Sequence, residues 1–154
     1  MEKEFYKDLT KDELISMVRE LTKVEAPQVK AIRHPADVVR TLESWSTREQ
    51  EHFLVVTLNG AHEMIEVHEI SKGTVNRSLV HPREVFRAAI GDNAIGVVVA
   101  HNHPSGHTEP SDEDIALTER LRDAGEIIGI QVLDSVILGK EGSYYSFLEA
   151  GKMP

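Results

Sequence analysis

The spacing of apolar and polar positions changes several times along the chain, and each change predicts an element. Thr10-Lys11-Asp12-Glu13 has the form of a capping box, and Leu14, Met17, Val18 and Leu21 follow at helical spacing. This predicts a helix over about 11–23, packed on its own domain or on another copy of the chain. Residues 26–30 read as a connector. Pro35 sits at a first-turn position and predicts a second helix running to about Glu51. The apolar run 53–58 predicts a strand, and Asn59-Gly60 signals a hairpin turn into a second strand over 63–70. Residues 71–80 read as a further strand with a turn at Lys72-Gly73. Pro82 opens a helix to about Ile90, with Gly91 as its C-cap. The stretch 94–100 is short, apolar and β-branched, so it reads as a central strand buried on both faces. A helix starts at Ser111 and ends near Gly125 or Gly129. Strands over 132–138 and 143–147, split by a turn at Gly139–Gly142, complete the sheet.

The candidate chemistry lies where the central strand ends. His101-Asn102-His103 is followed after seven residues by Ser111 and after two more by Asp114. Alternation along a strand puts residues i and i+2 on one side, so His101 and His103 project together. Ser111 is placed to cap the helix that follows. Leu117, Leu121 and Ala124 continue from Asp114 at steps of three and four, which puts Asp114 on the apolar stripe facing the core. A carboxylate buried there needs a partner, and a cation shared with two imidazoles would supply it. The plainer alternative is a capped helix and a hydrogen-bonded His at a strand end; Ser-x-x-Asp differs from the usual capping box, whose acid is Glu or Gln. Three protein ligands would leave the fourth position of a tetrahedral zinc to water, the arrangement of catalytic sites. Such a site needs a general base and a donor for the oxyanion. Ser111 is a candidate donor, unless its hydroxyl is used up as the cap.

Composition narrows the partners. There is no cysteine, which rules out disulfides, thiolate zinc sites and the Cys-ligated chemistry of zinc deaminases. The net charge is −9, which argues against nucleic acid as a partner of this domain alone. Lys72, Arg77, Arg83 and Arg87 are close in sequence, but scattered surface charge is the simpler reading. No apolar run is long enough to span a membrane, and the charged start Met1-Glu2-Lys3-Glu4 does not read as a secretory signal, so the expected location is cytoplasmic. His34, His52, His62, His68 and His81 are expected to be surface or locally hydrogen-bonded residues. His107 and Glu109, inside the motif loop, are not expected to be ligands.

The string His101-Asn102-His103-Pro104-Ser105-Gly106, with Ser111 and Asp114, resembles the JAMM motif of the JAB/MPN metalloprotease superfamily, and its RadC-like branch in particular. The resemblance takes in His81-Pro82-Arg83-Glu84-Val85, Ala124-Gly125 and the stretch 130–134, and covers about residues 30–150. It implies an α/β (α+β) fold, a mixed β-sheet flanked by helices and similar to the cytidine-deaminase-like architecture. It also implies one Zn2+ held by His101, His103 and Asp114, with Ser111 assisting at the tetrahedral intermediate. A Glu before the first core strand would serve as general acid/base; Glu51 best matches that position, and composition alone does not choose it over Glu63, Glu66 or Glu69. The expected organisation is a helix and connector over 1–30 and a RadC-like JAB/MPN domain over 31–154, similar to short single-domain members that lack an N-terminal helix-hairpin-helix region.

The expected function is a zinc-dependent metallohydrolase, a JAMM-type metallopeptidase cleaving an amide or peptide bond in a peptide or protein substrate that the sequence does not identify. The alternatives are a non-catalytic metal-binding scaffold, or an accessory role in DNA repair or metabolism suggested by the RadC name alone. Homo-oligomer formation is left open.

Overall fold

The computed structural model describes residues 10–22, 31–73 and 80–153. The described elements run α1 (Lys11–Thr22), α2 (Pro35–Thr41), α3 (Glu43–Ser46), β1 (His52–Leu58), β2 (Met64–Lys72), α4 (Pro82–Gly91), β3 (Gly96–Asn102), α5 (Asp112–Ile128), β4 (Gln131–Leu138) and β5 (Tyr144–Ser146). Among the described residues the strands form one mixed sheet in the order β2-β1-β3-β4-β5. β1 pairs antiparallel with β2 and β3, β3 pairs parallel with β4 across the α5 crossover, and β4 pairs antiparallel with β5. No helix among the described residues is long and apolar enough to cross a membrane.

β1 and β3 are buried along their whole lengths because both sheet faces are covered. Alternate residues divide between two cores. Phe53, Val55, Val97 and Val99 face α4 and α5, where Val85, Phe86, Leu117 and Leu121 meet them. Leu54, Val56, Leu58, Val98 and Ala100 face the opposite layer, with Val38 and Leu42. α5 approaches the sheet closely at Gly125: a Cβ there would stand 2.5 Å from the Ile130 carbonyl and 3.1 Å from the Phe86 ring.

Several predicted boundaries shift. The helix expected over 35–51 is two short pieces, because Leu42 leaves helical geometry and residues 47–51 belong to no helix. The Asn-Gly turn is a longer loop. His62 N donates to Asn59 O, Asn59 N donates to Glu63 O, and His62 rather than Gly60 takes the left-handed conformation. That is the pattern of a three-residue hairpin loop. Gly91 is still helical, and Asn93, at φ 53°, makes the left-handed step after α4. α5 ends at Gly129, at φ 84°. Ser71 and Lys72 close β2, and neither Gly73 nor Val80 is in a strand; residues 74–79 of the strand expected over 71–80 lie outside the described residues, as does the connector 26–30. The capping box of α1 is present, with Thr10 N donating to Glu13 Oε2 at 2.8 Å and Glu13 N to Thr10 Oγ1 at 3.3 Å. Val18 and Leu21 of its apolar stripe lie outside the described side chains.

Candidate metal centre

β3 delivers the first two side chains. His101 continues the alternation of Val97 and Val99 and therefore emerges on the α4–α5 side of the sheet. His103 follows just past the strand end, and the two Nε2 atoms stand 3.1 Å apart. Phe53, opposite His101 in the β1–β3 register, stacks on the His101 ring at 5.9 Å and 13°. His103 Nδ1 lies 2.7 Å from the His107 carbonyl. A carbonyl can only accept, so Nδ1 donates, and the neutral ring then presents its lone pair at Nε2. This is the tautomer a metal-binding imidazole needs, set by the motif loop's own backbone.

α5 delivers the carboxylate. Ser111 is the N-cap: its Oγ accepts from Asp114 N at 3.2 Å, and Asp114 Oδ2 accepts in return from Ser111 N at 2.9 Å. The short acid completes the reciprocal box and still reaches the histidines. Asp114 Oδ1 is 3.0 Å from His101 Nε2, and Oδ2 is 3.4 Å from His103 Nε2. Its side chain is 1% exposed. Burial on its own pushes the carboxyl up. The two imidazoles packed against it and the Ser111 N–H outweigh that and hold it well below the usual carboxylate range.

Glu51, directly before β1, completes the group. Glu51, His101 and His103 each offer a ligand atom, and these atoms lie within 4.8 Å of one another. Two imidazole nitrogens facing each other at 3.1 Å beside a buried carboxylate concentrate lone pairs that a shared cation would bridge. Donors bound to zinc at about 2.0–2.2 Å with tetrahedral angles stand roughly 3.3–3.5 Å apart, close to the separations found here. The donor set of imidazole and carboxylate suits zinc, so the residues present fit that ion.

The motif loop between the histidines and α5 is seated on the β4–β5 turn. Gly106, at φ +81°, lies against the Lys140 side chain, and Gly139 is so enclosed that a Cβ would stand 2.5 Å from Thr108 Cγ2 and 2.2 Å from Ser143 Oγ.

The structure thus brings together the sequence-predicted Glu51, His101, His103 and Asp114, with Ser111 capping the helix that carries Asp114. Glu51 is near enough to be a ligand as well as the base the resemblance suggested. His107 contributes its backbone carbonyl, to His103, and its side chain is exposed. Two neighbours escaped the sequence. Phe53 reads simply as a core strand residue. Asn102 reads as the middle of His-x-His, although a polar residue ending a doubly buried strand is a signal in itself. His52, expected to be at the surface or locally hydrogen-bonded, is buried against Trp45 at 5.1 Å between ring centroids. His81 caps α4, its Nδ1 accepting from Arg83 N, and His68 pairs with Asp92 at 2.6 Å. Arg83 and Arg87 are exposed and both approach Glu84; Arg77 lies outside the described residues.

Comparison with known proteins agrees with this geometry. The family model described as a RadC-like JAB domain matches residues 32–152. A UPF0758 protein of Rubrobacter xylanophilus is 48% identical over 140 residues, covering 90% of this chain and 61% of that protein. One from Methanospirillum hungatei is 56% identical over 95 residues, 62% of this chain and 42% of that protein. One from Staphylococcus epidermidis is 45% identical over 121 residues, 78% of this chain and 53% of that protein. The chain spans about half the length of the curated relatives it matches. With most of its length matched, and with α+β architecture and a mixed sheet to carry the motif, the chain belongs to the RadC-like JAB domain family.

Proposed function

We propose that this chain is a metal-binding module of the JAB/MPN superfamily that hydrolyses an amide or peptide bond with the help of a zinc ion, as a JAMM-type metallopeptidase. The observation that carries the reading is the convergence of Glu51, His101 and His103, with the Asp114 carboxylate against both imidazoles. His101, His103 and Asp114 are assigned as ligands. Zinc bound there would act as a Lewis acid on the substrate carbonyl and bring the pKa of a water to about 7. Glu51 takes the proton of the attacking water on a carboxylate oxygen and hands it to the leaving amine. The cap does not disqualify Ser111, because a hydroxyl that accepts at Oγ can donate its own proton, here to the developing oxyanion. The substrate is a peptide or protein whose identity is set by the loops around the site rather than by the fold.

The test pairs metal analysis with a peptide-library cleavage screen on the wild type and Glu51→Gln. The expected outcome is about one equivalent of metal in both proteins. Turnover in the variant should fall by about 10²–10⁴-fold. Protein that takes up no metal refutes the reading outright.

A second reading, a metal-binding scaffold without chemistry, is favoured by the same cluster and by the family match, neither of which requires turnover. It predicts that chelation lowers stability while no library member is cleaved.

A further inference from the structure

Asn102 ends β3 between the two motif histidines, and alternation sends its side chain to the opposite face of the sheet. It is fully buried. Its Oδ1 accepts from His52 N at 2.7 Å, and its Nδ2 donates to Gln50 O at 2.9 Å and to Arg48 O at 3.3 Å. The partners fix the orientation of the amide, since an N–H needs the oxygen and the two carbonyls need the nitrogen. The bonded backbone groups of Gln50 and His52 flank Glu51 on both sides.

We infer that Asn102 is the positioning residue that holds Glu51 against the imidazole pair. The inference rests on the proposed function, which makes Glu51 the base. Residues 47–51 belong to no helix or strand, so no regular ladder fixes where Glu51 sits. A side chain from the strand that carries His101 and His103 does so instead. The position of Glu51 is thereby tied to the same backbone segment as the histidines, across a gap of some fifty residues in sequence. Gly73 N, which donates to Glu51 O at 2.8 Å, steadies the segment from the β2 side. The chemistry requires an amide: an Asp would lack the donors, and a Ser hydroxyl is too short to span Gln50 and His52 together. Leaving the buried His52 N–H unpaired would be costly, so the clamp holds one arrangement.

The experiment uses the full chain with its Glu side chains carrying 13C at the carboxyl, titrated with zinc and followed by NMR. Glu51 is recognised by the resonance missing from Glu51→Gln. In the wild type, zinc is expected to move the Glu51 carboxyl signal together with the ring signals of His101 and His103. In Asn102→Ala the ring signals still move, the Glu51 response falls several-fold, and exchange of the His52 amide accelerates about tenfold while α5 amides keep their protection. Asn102→Ser covers the case in which the alanine variant does not fold. A Glu51 response that stays intact in a folded variant overturns the role of Asn102 and leaves the proposed function standing. Wild-type rings that move while Glu51 stays silent overturn the assignment of Glu51, and this inference with it. Wild-type rings that never respond to zinc overturn the metal reading on which both depend.

Discussion

Asp92, just past the end of α4, binds two elements to that helix through one oxygen. Its Oδ2 accepts from Thr57 Oγ1 of β1 at 2.7 Å and stands 2.6 Å from His68 Nε2 of β2. Burial works against the ionised carboxyl, but the Thr57 hydroxyl and the His68 ring together hold it below its ordinary range. A carboxylate with a depressed folded-state pKa adds stability that is present above the unfolded pKa and lost as pH falls through the folded one. Asp92→Asn is therefore expected to cost about 1–2 kcal/mol at pH 7. The gap to wild type should close as the solution is acidified below the unfolded carboxyl pKa of about 4. Urea unfolding of both proteins across that range checks it, and a gap that stays constant with pH would show that the charge of Asp92 contributes nothing. At this scale the histidine–aspartate spacing was legible because two local rules, strand alternation and helix capping, act over few residues. Glu51 was legible only through the family resemblance, because its contact with the histidines closes a loop of about fifty residues whose path no local rule sets.

The β3–α5–β4 unit does most to build the site. It places the two imidazoles at a strand end and the carboxylate at the following helix start, and its parallel crossover lays α5 back over the sheet. Gly125 makes that approach possible, since a methyl group there would meet the Ile130 carbonyl at 2.5 Å, backbone that cannot step aside. Gly125→Ala is expected to destabilise the protein by about 1–3 kcal/mol, despite the better helix propensity of alanine. Equilibrium denaturation gives the sign directly; a gain in stability would mean that α5 does not pack as described. Strand positions were well anticipated because apolar runs mark them, and β1, β3 and β4 begin within two residues of expectation. Breaks in helices were less visible. Nothing as strong as a proline or glycine marks Leu42, where the helix expected to reach Glu51 breaks and which is buried in one core with Val38 and Leu54.

For the molecule as a whole, the centre joins two layers: His101 and His103 belong to the sheet, Asp114 to the helix packed on it, and Glu51 to the approach to the neighbouring strand. An ion held there would bind only the folded chain, so zinc should raise the thermal midpoint, and by more as its free concentration climbs above the dissociation constant. At a free concentration a hundredfold above the dissociation constant the gain is about 2.7 kcal/mol. Calorimetry with zinc and then with a chelator is expected to show the rise and its reversal, and Asp114→Asn to remove most of it. A midpoint indifferent to both would contradict a metal site that forms on folding. What the amino-acid order determined by itself is local: the strand that ends in two histidines, the capped helix that starts with an acid, the family those residues announce and the absence of thiolate chemistry. What only the tertiary structure decided is how Glu51 meets the imidazoles, which face of β3 each residue serves, and the buried amide of Asn102 that links the two chain segments. The division is physical. Backbone geometry and capping act between near neighbours, whereas the convergence of distant side chains depends on which apolar surfaces pack together, and pairwise packing of that kind is not written in the spacing of any one segment.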